Sequence, residues 1–344
     1  VAERGVSQAA RPHGTDAVCP LRARPFRPPP LMAGGHRQTL AGHLARGHLS
    51  WREPVEDAVV TAPGDIKLLL RISWQLGSRH ERPAVILVHG LEGCDASGYV
   101  LSAGELAYRA GCHVIRMNLR GCGDALRLCP LLYNAGVSED LLAVIQWVSA
   151  RVRQVAIVGF SLGANLGLLT LARHRGAIPD PVAAMVAVSP PLELADAADA
   201  LDRPSNYIYQ RYFLTRLGAS YRRRQSLRPD LYQADVERSC RSLWEYDERI
   251  TARYAGYRGA RDYYQQSSAG PHLTDIDRPV LILSACDDPL IPSQSITRWP
   301  LPPQVRLELT ETGGHVGFLG RTRARGGFWA ADRTVSFLLE RFTQ

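Results

Sequence analysis

From about residue 57 onward, short runs of β-branched and aliphatic residues alternate with longer stretches in which apolar positions recur every three or four residues. Fully apolar or period-two runs bounded by turn residues predict strands, and the longer period predicts helices laid against them. The expected strands are 57–61 and 67–74 as an opening pair, then 84–88, 113–118, 154–158, 181–189, 280–284 and 305–309. The expected helices are 103–110, 140–150 and 164–174, with a last amphipathic one over 328–342. Alternation of this kind belongs to a mostly parallel sheet covered by helices on its faces. After Pro190-Pro191 it stops for about eighty residues. That segment, roughly 195–275, is rich in Tyr, Arg and Leu and reads as helical, with Arg222-Arg223-Arg224 on a solvated face. A helical insertion between two late strands is where a cap over an active site would sit.

Charge changes the picture at one end only. The chain carries a net +8, and residues 1–52 hold eight Arg against Glu3 and Asp16, so +6 of it precedes the expected core. The stretch 21–30 is mostly Arg and Pro and cannot bury enough apolar surface to offset the entropy of ordering. Residues 1–30 are therefore expected to be a flexible arm, and residues 31–344 a single domain. No aromatic interleaving or binding motif accompanies the arginines, so a nucleic-acid partner is not expected. Residues 1–30 lack the apolar stretch of a secretory signal, and the most apolar windows, 84–88 and 155–158, fall well short of the ~20 residues that a bilayer needs. The seven Cys include no Cys-x-x-Cys pair. Neither a disulfide framework nor a zinc site is indicated, and a cytoplasmic protein is expected.

Gly159-Phe160-Ser161-Leu162-Gly163 carries the most chemistry. A serine hydroxyl is a poor nucleophile unless a sharp strand-to-helix turn presents it to a base and to an incoming carbonyl. Such a turn crowds the positions two before and two after the serine, which is why glycine belongs at both. Val155–Val158 reads as the strand before the turn and 165–171 as the helix after it. In the α/β-hydrolase arrangement an acid and then a histidine follow the serine along the chain. Asp288, in the loop after the strand at 280–283, is the expected acid. Asp287 competes with it, its alternative role being to cap the turn. His315, in the glycine-flanked loop Gly313-Gly314-His315-Val316-Gly317 after the last strand, is the expected base. The oxyanion hole is expected to use the N–H groups of Leu162 and Leu91, with His89 stabilising the loop rather than moving protons.

The motifs together resemble the AB-hydrolase 4 family, which comprises YheT-like bacterial hydrolases and eukaryotic abhydrolase-domain lipid esterases. The likeness runs from about Gly35 to the C-terminus. It rests on His36-Arg37-Gln38-Thr39-Leu40, His89–Gly93, Asn118-Leu119-Arg120-Gly121-Cys122, Gly159–Asn165, Glu245-Tyr246-Asp247, Asp262-Tyr263-Tyr264, Asp287-Asp288-Pro289 and Gly314–Phe318. The resemblance implies an α/β-hydrolase fold with a helical cap and a triad of Ser161, Asp288 and His315. It also implies hydrolysis of carboxylic esters with short or medium acyl chains, or of lipid esters. Three departures from the family pattern bear on substrate shape: Gly34-Gly35 in place of Asn-Pro, Ala164 in place of glycine, and Asn134-Ala135 in place of a His-Ser pair.

Three function classes follow. The leading one is a cofactor-free serine esterase acting through an acyl-enzyme. An acyltransferase would use the same residues, with an alcohol or thiol replacing water. A catalytically silent ligand-binding homologue would keep only the pocket. Epoxide hydrolases and dehalogenases of this fold need a carboxylate where Ser161 stands, and a metallohydrolase would need His or Cys at ligand spacing. The expected partner is a small-molecule or lipid ester, with peripheral membrane contact compatible with the chain.

Overall fold

The computed structural model describes residues 25–46 and 49–342. The apolar runs form one sheet of eight strands: β1 (Glu56–Ala62), β2 (Ile66–Ser73), β3 (Ala84–Val88), β4 (His113–Met117), β5 (Val155–Phe160), β6 (Val182–Val188), β7 (Val280–Ala285) and β8 (Val305–Thr310). Their order across the sheet is β1-β2-β4-β3-β5-β6-β7-β8. β2 is antiparallel to both β1 and β4, and every other pairing is parallel. Every residue of β3, β5 and β7 is buried, as a strand covered on both faces requires.

The helices are α1 (Gly35–Arg46), α2 (Gly98–Arg109), α3 (Ser138–Ser149) and α4 (Leu162–Arg173), then α5 (Leu194–Leu201), α6 (Tyr207–Leu227), α7 (Leu243–Tyr246), α8 (Ala252–Ala255) and α9 (Ala260–Ser267), and last α10 (Ser293–Thr297) and α11 (Trp329–Phe342). Successive strand residues face opposite ways, so Val85, Leu87, Val114 and Val158 pack under α2 and α11, whereas Ile86, Val88, Ile115 and Ile157 pack under α3 and α4. The fold is thus the α/β-hydrolase sandwich, with α5 to α9 inserted between β6 and β7.

Two local differences from the expected elements stand out. α1 was not among the expected helices, because only a narrow set of its residues is apolar; Gln38 and Thr39 are nonetheless buried through hydrogen bonds described below. α2 starts at Gly98 rather than 103, the extended Ser97 (φ −60°, ψ 133°) standing just ahead of its first turn. Most of the expected arm, residues 1–24, lies outside the described residues. Of the remainder, Phe26 sets its ring 5.8 Å from Phe318 and 5.2 Å from Trp329. Among the described residues Cys94, Cys112, Cys122, Cys129, Cys240 and Cys286 are free thiols, and no helix is long and apolar enough to cross a membrane.

Candidate active site

β5 ends at Phe160 and α4 begins at Leu162, so the chain reverses on the single residue Ser161, at φ 51° and ψ −121°. A non-glycine residue in that region is strained and persists only where its surroundings enforce it. The enforcement is close packing. A methyl at Gly163 would fall 2.4 Å from the His89 carbonyl oxygen, and one at Gly159 would fall 2.4 Å from that of Gly163. The Ser161 N–H donates to the Val188 carbonyl at 2.8 Å, while its own carbonyl accepts from Ala164 and Asn165 at the start of α4. Buried Asn165 then ties this helix to the end of the insertion, donating to the Ser267 carbonyl (2.8 Å) and accepting from the Ala269 N–H (2.9 Å).

His315 sits in the loop after β8, and groups far away in sequence hold that loop. Its N–H donates to Thr39 Oγ1 at 2.9 Å, and the Thr39 hydroxyl donates to the Gly35 carbonyl at 2.7 Å. The Gly314 N–H donates to Asp287 Oδ1 (2.9 Å), and the Val316 N–H to Ser189 Oγ (3.1 Å). Further along, Gln38 accepts from the Leu319 N–H at 2.7 Å and donates to the Leu319 carbonyl at 3.2 Å. Val316 and Phe318 both have positive φ, 54° and 43°. The loop is therefore strained and cross-braced together.

Asp288 follows β7 with a side chain only 1% exposed. Its Oδ1 accepts the N–H groups of Leu290 (2.8 Å) and Ile291 (3.0 Å), which fixes the carboxylate. Its Oδ2 lies 2.9 Å from His315 Nδ1, and His315 Nε2 lies 2.9 Å from Ser161 Oγ. A carboxylate can only accept, so the ring proton belongs on Nδ1, and Nε2 is left with a lone pair facing the hydroxyl. Between the two competing carboxylates the geometry is unequal. Asp287 reaches the loop backbone at Gly314, not the imidazole, and its Oδ2 is buried without a hydrogen-bond partner among the described residues.

The other expected residues fall around the same point. Leu91 and Leu162 line a cavity together with Ser161 and His315. His89 is fully buried, and burial pushes its imidazole down to about 4, so it stays neutral. Its Nε2 accepts the Leu119 N–H at 3.2 Å, which leaves Nδ1 to donate to the Gly90 carbonyl at 2.8 Å. It thus clips the loop after β3 to the loop after β4. Glu92 accepts from the Tyr133 hydroxyl at 3.1 Å while its own N–H donates to that hydroxyl at 2.7 Å; burial raises its carboxyl.

The cavity wall is mostly apolar, with Leu194, Leu201, Phe213, Leu217, Leu243 and Leu290 prominent. Among its polar residues, which include Glu92 and Asn134, Asp247 is set apart by its surroundings. It stands on a π-helical turn, Asp247–Thr251, and accepts hydroxyl hydrogens from Thr251 (2.6 Å) and Tyr264 (2.7 Å), while burial pushes its carboxyl up to about 6. No group of three or more His, Cys, Asp or Glu among the described residues is placed to hold a metal ion. Sequence reasoning missed Thr39, Gln38, Asn165 and Ser189. Two of them lie in the family block 36–40 and one closes the block 159–165, so a signal existed, but their hydrogen-bond partners are remote in sequence.

This geometry can be set beside known proteins. The family model described as alpha/beta hydrolase fold matches residues 83–322. The chain is 34% identical over 308 residues to YheT of Escherichia coli (strain K12), an inferred esterase, covering 88% of this chain and 89% of that one. It is 31% identical to phospholipase ABHD3 of Mus musculus, over 69% of this chain and 59% of that longer protein. Among solved structures, the Pyrococcus furiosus esterase Pf2001 superposes with a TM-score of 0.52 at 16% identity, covering 79% of this chain and 90% of that one, a likeness of fold. With a serine on a strand-to-helix turn and this breadth of similarity, the chain belongs to the α/β-hydrolase family, in its YheT-like AB-hydrolase 4 group.

Proposed function

We propose that the protein is a serine esterase that hydrolyses carboxylic esters through an acyl-enzyme, with Ser161 as nucleophile, His315 as base and Asp288 as the acid that orients it. The observation that carries this reading is the unbroken hydrogen-bonded line from Asp288 through His315 to Ser161, 2.9 Å at each step. As Ser161 Oγ attacks the ester carbonyl, its proton passes to His315 Nε2, and Asp288 stabilises the imidazolium. The oxygen that becomes negative is received by the N–H groups of Leu162, at the start of α4, and of Leu91. His315 returns the proton to the leaving alcohol. A water activated by the same nitrogen then attacks the acyl-enzyme, releasing the acid and restoring Ser161.

The mostly apolar wall of the cavity supports an aliphatic acyl group, as in short- to medium-chain or lipid esters. Residues 194–275 are assigned as its cap, since Leu194, Phe213, Leu243 and Tyr263 come from four of the inserted helices. The names of the relatives, an inferred esterase and a phospholipase, agree with ester chemistry. The six free thiols agree with a reducing compartment such as the cytoplasm.

The test is Ser161→Ala. It should abolish p-nitrophenyl ester turnover and labelling by a fluorophosphonate probe, with circular dichroism unchanged. Turnover retained by the folded variant would overturn the assignment.

A further inference from the structure

We propose that the face built by α1 and the first half of α6, around the mouth of the Ser161 cavity, docks on an anionic lipid surface. Five large apolar or aromatic side chains stand out of it: Leu40 (43% exposed), Leu44 (72%), Tyr207 (57%), Ile208 (67%) and Tyr212 (38%). Leu40 and Leu44 are four positions apart, as are Ile208 and Tyr212, so each pair shares one face of its helix, and Tyr207 adjoins Ile208. The two faces are joined. The His36 ring stacks on Tyr209 with centroids 5.7 Å apart, and His43 meets Tyr212 edge-on at 5.3 Å. Leu76 and Leu301 are exposed apolar residues outside these two helices.

Charge selects the occupant. Neither α1 nor α6 contains a single Asp or Glu, and the first half of α6 carries Arg211 and Arg216; of the run 222–224, expected on a solvated face, Arg224 is instead buried on the Gly121 and Leu131 carbonyls and Arg222 pairs with Glu237. Arg37, Arg211 and Arg216 lie exposed beside the apolar side chains, and none of the three makes an ion pair among the described residues. Apolar side chains and tyrosines set among exposed arginines, of which Arg216 has the Glu92 carboxylate near it, suit an interface where acyl chains lie beneath negative headgroups. Arginine stems can lie along the apolar layer while their heads reach phosphate.

Position gives this contact a use. His43, Tyr212 and Arg216 line an outer depression that Glu92, Ser161 and His315 also line, and Phe213 lines both this depression and the apolar cavity. A molecule seated on this face would open its mouth directly on the lipid, so an ester could pass from the bilayer toward Ser161 without crossing water. The docking does not depend on the esterase assignment, since it concerns binding alone.

The test is co-sedimentation of the full chain with vesicles of phosphatidylcholine alone and of phosphatidylcholine mixed with phosphatidylglycerol. Binding should require phosphatidylglycerol and weaken as salt rises. Arg211→Glu, and separately the pair Leu44→Glu with Ile208→Glu, should each lower vesicle binding by about tenfold or more. Leu76→Glu, away from the face, should leave it unchanged. All variants should keep wild-type turnover of a short water-soluble ester, which reports that they are folded, and Ser161→Ala should bind vesicles like the wild type. Equal binding to neutral vesicles, no binding to either kind, or undiminished binding by the face variants would each overturn the proposal. Vesicle binding by a protein that lacks turnover would separate the failure of the esterase reading from the failure of this one.

Discussion

The turn that carries Ser161 and the loop that carries His315 bring their side chains to within a hydrogen bond of each other by opposite means. The turn is held by backbone packed on backbone. β5 feeds it, α4 leaves it, and Gly159 and Gly163 let backbone close on backbone where no side chain would fit. The loop is held from outside, by Thr39 and Gln38 of α1, Asp287 after β7 and Ser189 after β6. A site assembled this way has one arm shaped by a short local turn seated on the neighbouring strands and another whose position is a side-chain agreement among four segments. Both arms store backbone strain, at Ser161 in one and at Val316 and Phe318 in the other.

The sharpest way to break the comparison is Gly163→Ala. The added methyl would fall 2.4 Å and 2.6 Å from the carbonyl oxygens of His89 and Val88, both backbone atoms with nowhere to go. The variant should lose about 3 kcal/mol of stability or more, or fail to fold, together with all turnover. Chemical denaturation of any soluble variant measures this; wild-type stability would mean that the turn yields more easily than its packing implies.

The loop should break more gently. Thr39→Val keeps the shape of the side chain but removes the acceptor for the His315 N–H and the donor to the Gly35 carbonyl. kcat should fall by up to about a hundredfold as the imidazole loses its alignment, with KM nearly unchanged, and Thr39→Ser should restore most of it. A fall in KM-dependent binding alone, or no rescue by serine, would show that Thr39 serves packing and not alignment.

A third change touches neither arm and gives the baseline. Asp247 lies in the cavity wall, its carboxyl pushed up to about 6 by burial from an ordinary 3.8. Between those values the folded protein binds a proton that the unfolded chain releases. This raised value therefore favours folding at the acid end, and the advantage is lost as pH rises through about 6, by about 3 kcal/mol at most. Asp247→Asn should flatten that part of the stability profile while leaving the Ser161–His315 geometry intact. An unaltered slope in denaturation midpoints measured from about pH 4 to about pH 7 would remove Asp247 as its source.

Legibility in the sequence followed the same division. The strand at 155–160, its glycines and the helix after it were readable because the apolar run, the turn residues and the helical period that signal them all lie within about twenty residues, although Val88, His89 and Val188 also hold the turn. The three residues of the proposed triad were readable as candidates, since each lies in a loop after an apolar strand. Spacing after the strand favoured Asp288 over Asp287 but could not exclude Asp287, because adjacent carboxylates leave the same loop in different directions. Only the coordinates put Asp288 on the imidazole and Asp287 on the Gly314 N–H. α1 escaped notice because its buried positions, Gln38 and Thr39, are polar. A polar residue is buried when a hydrogen-bond partner awaits it, and their partners at 315 and 319 lie more than half the chain away.

The sequence by itself determined the alternation of strands and helices and hence the fold class, the turn that exposes a serine, and the order in which acid and histidine follow. These are consequences of hydrophobic period and of local backbone sterics, both of which act over short stretches of chain. The tertiary structure alone decided which carboxylate meets the histidine, which helix braces its loop, and which apolar and cationic side chains share a face beside the cavity mouth. Each of these depends on distances between segments remote in sequence, and such distances are set only when the layers pack.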